Sequence, residues 1–291
     1  MSKITRILSV DLGNYNTKTS NKVIFESRFK KVGIAEEVFG VDYLILEDEK
    51  FLIEQGAWDL DYDKTLKNYK PCLLAAIAKS YGKTVKTIDG IGLVLGLPLT
   101  QLKNKDKLIN DLQGKQFEIN YNGVKKVIGI EKVAVVGEGF SSVYTLSESE
   151  RNDDILLVDL GGRTANIVDY SSGAVEDTGT IPSGLYDFYE EVQAKLLSDT
   201  DIKIEKVRNL VDKKKVDEDK VKEIKVNFIN ELANNLKPYN PQFKQLWFTG
   251  GGSATLKEEI KDKYTDAKFV NDVLFSNVLG NKMIAELNWG E

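Results

Sequence analysis

The sequence predicts an α/β protein, and three stretches predict it. Ile7-Leu8-Ser9-Val10 runs into Asp11-Leu12-Gly13-Asn14-Tyr15-Asn16-Thr17-Lys18: an apolar strand, an acid, a glycine-containing turn and an outgoing strand. Ile155-Leu156-Leu157-Val158 runs in the same way into Asp159-Leu160-Gly161-Gly162-Arg163-Thr164 and on through Ala165-Asn166-Ile167-Val168. Leu246-Trp247-Phe248 enters Thr249-Gly250-Gly251-Gly252-Ser253, which opens a helical run. An isolated Asp-Gly-Gly segment is an ordinary β-turn. Its repetition in one order along the chain is what carries information.

The intervening segments alternate strand and helix patterns. Gly40 to Ile53 places two short apolar segments around Glu47-Asp48-Glu49-Lys50, the pattern of an antiparallel hairpin. A polar stretch after Gly56-Ala57-Trp58 leads to a helix from about Pro71. Ile88 to Leu97 reads as a buried strand stopped by Pro98, with Thr100 as the N-cap of a helix through Leu112. Gln116 to Tyr121 and Val124 to Val136 form a hairpin on an Asn/Gly turn and lead to Gly137-Glu138-Gly139-Phe140, with a helix from Ser141 to about Glu148.

Arg151-Asn152-Asp153-Asp154 marks a polar boundary before the second hairpin. Beyond Ile181-Pro182-Ser183-Gly184, a helix carries Leu185, Phe188, Val192 and Leu196 on one face. Residues 199 to 236 are strongly charged but keep apolar spacing at Val221, Ile224, Phe228, Ile229 and Leu232, the pattern of solvated amphipathic helices. Lys213-Lys214-Lys215 reads as solvated surface or as a partner contact. A final amphipathic helix runs from about Phe275 to Leu287.

Composition narrows the chemistry. The 291 residues are 42% hydrophobic and 29% charged, a soluble globular balance with material for one large domain or two ordinary ones. A formal net charge of −5 offers no counterion-release drive toward DNA, so no direct nucleic-acid contact is expected. With no histidine and Cys72 as the one cysteine, Ser-His-Asp chemistry, His-ligated metals, zinc clusters and an internal disulfide are all excluded. Cys72, inside an apolar helical run, reads as a buried structural thiol. With no spanning helix or signal peptide in the sequence, no membrane contact and a cytoplasmic location are expected.

Phosphate chemistry survives this elimination. There is no Gly-x-x-x-x-Gly-Lys-Ser/Thr motif, and no Gly-x-Gly-x-x-Gly opens a helix after a strand. Two glycine hairpins closing on one polyphosphate from both sides are the remaining device: glycine N–H groups can approach phosphate oxygens closely, with Asp159 at the second hairpin facing the place of a hydrated Mg²⁺. Asp159 is expected there as an exposed turn carboxylate.

The ordered trio of strand-then-glycine signals resembles the phosphate-one, phosphate-two and adenosine motifs of the actin, chaperone and sugar-kinase ATPase superfamily, over nearly the whole chain. Leu97-Pro98-Leu99-Thr100 and the Glu138 segment most resemble ParM-type plasmid segregation actins. The resemblance implies a two-domain actin-like, ribonuclease-H-like α/β ATPase fold with the nucleotide in the interdomain cleft. A discontinuous first domain (1–152 and 272–291) would enclose a second (153–271).

By the same resemblance the cofactors are ATP, or GTP, and Mg²⁺. Asp11 and Asp159 would face the metal, and Glu138 and Asp159 would be catalytic, Glu138 projecting between the domains to orient the attacking water. Gly13, Asn14, Asn16, Thr17 and Lys18 from the first motif, and Gly161, Gly162, Arg163 and Thr164 from the second, would hold phosphates. Ser183 and Gly184 would pass the ribose, and Gly250, Gly251, Gly252 and Ser253 the adenine and α-phosphate. Arg163 stands where relatives often carry a small residue, and either reaches a phosphate or points outward. Asn271, Asn277 and Gly280 resemble the last motif.

The implied function is an ATPase forming head-to-tail filaments with nucleotide bound, moving plasmid DNA through an adaptor protein on its centromeric site. The alternative is a small-molecule kinase of the same superfamily, in which a carboxylate would take a proton from a substrate hydroxyl.

Overall fold

The computed structural model describes residues 3–59, 61 and 63–290. Leu60 and Tyr62, within the polar stretch before the first helix, lie outside the described residues. The chain divides into two compact units, Met1–Tyr144 with Asn277–Glu291, and Thr145–Ser276.

The first unit opens with β1 (Arg6–Leu12), β2 (Asn16–Thr19), β3 (Ile24–Glu26), β4 (Arg28–Val32), β5 (Tyr43–Leu46) and β6 (Glu49–Trp58). It continues through α1 (Lys70–Ser80), β7 (Thr87–Leu97), α2 (Lys105–Leu112), β8 (Lys115–Tyr121) and β9 (Val124–Gly137). All nine strands form one sheet in the order β3-β2-β1-β7-β9-β8-β5-β6-β4. Its first five members are the third, second, first, fourth and fifth strands of a ribonuclease-H-type sheet. β1, β7 and β9 run parallel at its centre, and β2 and β3 turn back antiparallel.

The second unit holds α3 (Glu148–Arg151), β10 (Ile155–Leu160), β11 (Ala165–Ser171), β12 (Ala174–Ile181), α4 (Leu185–Leu196), α5 (Ile204–Asp212) and α6 (Glu218–Leu236). β13 (Gln245–Thr249), α7 (Gly250–Thr255), α8 (Lys257–Lys263) and β14 (Lys268–Phe269) complete it. Its sheet repeats the same plan as β12-β11-β10-β13-β14. The last helix, α9 (Ser276–Trp289), carries the chain back into the first unit.

The sequence explains these placements. Every residue of β10 is buried, as a central parallel strand covered on both faces requires. The β5–β6 turn takes positive φ at Glu47 (50°) and Asp48 (63°), and the β8–β9 turn does so at Asn122 (51°) and Gly123 (84°), the two-residue geometry that matches strand twist. α1 is buried from Pro71 to Ala78 and lies within the first unit's apolar core. Lys126, 1% exposed, stabilises the connection after α1 by donating to the carbonyls of Gly82 and Lys83, each at 3.0 Å, and of Val85 at 2.5 Å. In α6 the five residues of the apolar spacing, Val221, Ile224, Phe228, Ile229 and Leu232, are all buried. Lys213, Lys214 and Lys215 are exposed, with Lys214 paired to Glu218 at 2.8 Å.

Two expected helices differ. Thr100 caps nothing: Leu99–Asn104 is a 3₁₀ helix, begun by the Gln101 N–H donating to the Pro98 carbonyl at 2.8 Å, and α2 starts only at Lys105. No continuous helix runs from Ser141 to Glu148 either. Phe140–Thr145 is 3₁₀, and Ser147 with Glu150 forms a capping box that starts α3 afresh.

Burial pushes the Cys72 thiol up to about 12 from an ordinary 9.0. It should therefore fail to react with an aromatic disulfide reagent at pH 8 until the protein is denatured, after which one thiol per chain should appear. The folded state holds this proton more tightly than the unfolded chain does. Its contribution to stability is thus full below pH 9.0 and is lost as pH rises toward about 12, which alkaline unfolding of wild type and Cys72→Ala would show as different slopes.

Candidate functional site

In the first unit, antiparallel register sets Asp11 opposite Lys18, whose Nζ lies 3.9 Å from the carboxylate. Asp11 is only 9% exposed, so the ammonium offsets a charge that would otherwise be costly there. Gly13 admits no side chain: a Cβ would lie 2.6 Å from the Asn16 carbonyl oxygen. Lys67 Nζ braces this loop, donating to Asn14 Oδ1 and, at 2.6 Å, to the Asp59 carbonyl. Asn16 begins β2, and the buried Thr17 hydroxyl shares a 2.8 Å hydrogen bond with Ser27.

Glu138 follows β9 directly. Parallel pairing puts Gly137 beside Leu97, and the Glu138 N–H donates to the Leu97 carbonyl at 2.8 Å. Its side chain lies over Gly96, where a Cβ would come within 3.2 Å of Glu138 Cγ. The carboxylate is paired with Lys64, which also lies 3.8 Å from Asp11 Oδ1. The segment beyond is tied to α9: Asn277 Oδ1 accepts from the Gly139 N–H at 3.1 Å and the Ser142 hydroxyl at 2.6 Å, and the Asn277 carbonyl accepts from Ser141 Oγ at 3.1 Å. Gly280, one turn along α9, lies directly against the Ser141 backbone, whereas Asn271 is exposed and precedes the helix.

In the second unit, the sequence reading of Asp159 as an exposed acid at a hairpin tip is corrected. Asp159 lies inside β10, paired with Asn166 on one side and Thr249 on the other, and is 5% exposed. Ladder pairing continues to Leu160 and Ala165, so the turn begins beyond the acid and closes with the Gly161 N–H donating to the Thr164 carbonyl at 2.8 Å. Gly162 and Gly161 offer their carbonyls to the first turn of α4, accepting from Tyr186 N–H at 2.8 Å and Leu185 N–H at 3.1 Å. Gly184, which follows Ser183, thereby lies against this hairpin, since a Cβ on it would be 2.7 Å from the Arg163 backbone nitrogen. Arg163 is turned toward α4, its guanidinium 4.6 Å from the Tyr186 ring centre and 4.0 Å from Asp187.

The third glycine cluster is the start of α7. Gly250 has φ +88°, and a Cβ there would be 2.5 Å from the Leu160 carbonyl oxygen. Gly252 is equally close-packed on Leu160, while Gly251 is open. Ser253 is buried, and its hydroxyl donates to the Thr249 carbonyl at 2.5 Å.

Each sheet thus delivers an aspartate from the end of its first strand beside a glycine-tight loop. Among the described residues no group of three or more His, Cys, Asp or Glu side chains could hold a metal ion. Single carboxylates of this kind suit Mg²⁺, which keeps most of its water and takes one or two protein oxygens beside phosphate oxygens. Lys64 and Lys67 are the functional candidates that sequence reasoning missed; Asp-Lys-Thr-Leu-Lys has the composition of a loop, and no periodicity or motif singles either out.

A family model described as actin like proteins N terminal domain matches residues 9–140. Across solved structures, an archaeal actin homolog superposes with a TM-score of 0.81 at 17% identity, covering 97% of this chain and 99% of that one. A ParM protein from a 15-stranded filament of Clostridium botulinum gives 0.80 at 16% identity, covering 99% of this chain and all of that one. The chain has the actin-like fold. The apo ParM protein of psk41 is similar as well, with a TM-score of 0.70 at 18% identity over 97% of each chain. None of the curated proteins matches the sequence. The expected resemblance to actin-like and ParM proteins is borne out, and the two ribonuclease-H-type sheets are the architecture it implied. No helix among the described residues is long and apolar enough to cross a membrane.

At Gly250 a positive φ and close contact coincide. Gly250→Ala should destabilise the protein by on the order of 2 kcal/mol, through positive φ and contact with Leu160 together. Gly251→Ala, in open space, should change stability by less than about 0.5 kcal/mol. Denaturant unfolding of the two variants checks the difference, and equal midpoints would show that the α7 turn tolerates a side chain at Gly250.

Proposed function

We propose that this chain is a nucleotide-hydrolysing, filament-forming actin-like protein that binds ATP, or GTP, with Mg²⁺. The observation that carries this reading is the repeated placement of a strand-end aspartate beside a glycine loop, Asp11 with Gly13 and Asp159 with Gly161 and Gly250, in a fold shared with proteins described as filaments and as an ADP complex.

In this reading backbone N–H groups of the Gly13 to Asn16 loop and of Gly162 to Thr164 donate to phosphate oxygens, the Gly161 N–H being taken by the Thr164 carbonyl, and Lys18 adds a positive charge. Asp11 and Asp159 hold the hydrated Mg²⁺, which when bound neutralises the charge of the transferred phosphoryl group. Ser183 and Gly184 pass the ribose, and Gly250 to Ser253 lie along the base. Glu138 orients the attacking water by accepting its proton in a hydrogen bond. Hydrolysis of this kind relies on positioning and electrostatics, so the carboxylate's placement matters more than its intrinsic basicity.

Filaments follow from a head-to-tail contact that does not close on itself. A net charge of −5 argues that DNA is reached through an adaptor, and plasmid segregation is the role that the ParM likeness suggests.

The test separates hydrolysis from assembly. Glu138→Ala should leave nucleotide affinity largely intact and lower phosphate release by about 10²- to 10⁴-fold. Light scattering should then rise with ATP as for wild type and persist instead of decaying. A variant whose filaments shrink at the wild-type rate would remove Glu138 from hydrolysis; flat scattering from wild type, with phosphate passed to a small molecule, would replace the filament reading with a kinase. Asp159→Asn, which keeps the buried shape of the side chain, should weaken binding of Mg²⁺-nucleotide while the melting curve stays cooperative. Unchanged affinity would take Asp159 out of the site.

A further inference from the structure

Lys64 lies between β6 and α1, and its backbone N–H donates to Gln101 Oε1 at 3.1 Å, with Gln101 itself 5% exposed in the 3₁₀ turn after Pro98. That anchor aims a long side chain inward. Its ammonium pairs with Glu138 Oε1 and stands 3.8 Å from Asp11 Oδ1, while Lys18 stands 3.9 Å from the other oxygen of Asp11. The charges alternate from pair to pair: Lys18, Asp11, Lys64, Glu138. Side-chain exposure is 8% at Lys64, 10% at Glu138 and 12% at Asp11. Lysine is rarely buried to this degree unless paired, and removing one member of such a pair strands a poorly hydrated charge.

A carboxylate that orients water has to present its oxygen in a fixed direction. A side chain of Glu has three rotatable bonds, and packing over Gly96 does not by itself fix the direction in which the carboxylate points. The contact with Lys64 does restrict them. The same ammonium stands 3.8 Å from Asp11 Oδ1, so a divalent cation held by that oxygen would have to share its surroundings with this positive charge.

We propose that Lys64 is the positioning residue of Glu138, and that it serves as the internal cation of the Asp11–Glu138 pair, competing with a divalent ion for Asp11. This rests on the hydrolytic reading of Glu138 for its effect on turnover, and on the reading of Asp11 as a cation ligand for its effect on cation binding.

The experiment uses the full chain as wild type, Lys64→Met, Lys64→Arg, Glu138→Ala and the Lys64→Met/Glu138→Ala double variant, each shown to be folded by a cooperative melt. Phosphate release should fall about 10²-fold in Lys64→Met with no loss of affinity for the Mg²⁺-nucleotide, and Lys64→Arg should recover part of the loss. In the Glu138→Ala background the Lys64→Met change should have no further effect on turnover. Additive losses would overturn the proposal, because they would mean that Lys64 acts on the phosphates directly. Binding of Mn²⁺ to the nucleotide-free protein, read by electron paramagnetic resonance, should tighten roughly tenfold in Lys64→Met and not in Lys64→Arg. Equal Mn²⁺ affinity in wild type and Lys64→Met would overturn the internal-cation role. A wild type that binds Mn²⁺ as expected but turns over no triphosphate would instead refute the hydrolytic function and leave the charge arrangement standing.

Discussion

A parallel strand covered on both faces can carry a charge only near its end, where the backbone leaves the sheet, and that constraint sets the positions of Asp11, Asp159 and Glu138. β1 is buried from Leu8 to Asp11, β10 throughout, and β9 is followed at once by Glu138. Ile7 to Val10 and Ile155 to Val158 fill the centre of each sheet and drive its burial; an acid comes next in each, 9% exposed at Asp11 and 5% at Asp159. The acids are therefore products of the sheet's packing as much as of chemistry. It is also why the loops after them turn so sharply.

Sharp turning has its own requirement. The loop after β1 brings Gly13 against the Asn16 carbonyl, and the start of α7 brings Gly250 against Leu160, so both paths need a residue without a side chain. The same absence that permits the turn lets other backbone come close, as the Gly250 N–H does in donating to the Val273 carbonyl at 2.9 Å. Lysines from outside the motifs hold the first unit's loops: Lys64 pairs with the Glu138 carboxylate, and Lys67 donates to the Asn14 amide oxygen and the Asp59 carbonyl. Glycine fixes the path of these loops, and the lysines fix their electrostatics.

Much of this was legible in the residues themselves. Strand runs such as Ile155 to Val158 and turns such as Asn122-Gly123 declare themselves because their patterns are local, and the repeated strand-to-glycine signal led to the correct fold. Thr100 failed as a cap because Pro98 set an i to i+3 bond that no local preference at Thr100 announces. Asp159 was expected to be exposed because a turn was read as starting at the acid, whereas pairing with Asn166 and Thr249 extends the strand past it. Lys64 was invisible for a different reason: its partner is 74 residues away, and only the fold brings the two together. Residues whose role lies in a distant pairing carry no periodic signature.

The central claim is that nucleotide state governs assembly of this chain, and ultracentrifugal sedimentation tests it most directly. Wild type incubated with Mg²⁺ and a slowly hydrolysed triphosphate should pellet, while the same protein with ADP or without nucleotide should stay in the supernatant. Equal pelleting in all three tubes, or in none, would contradict the account.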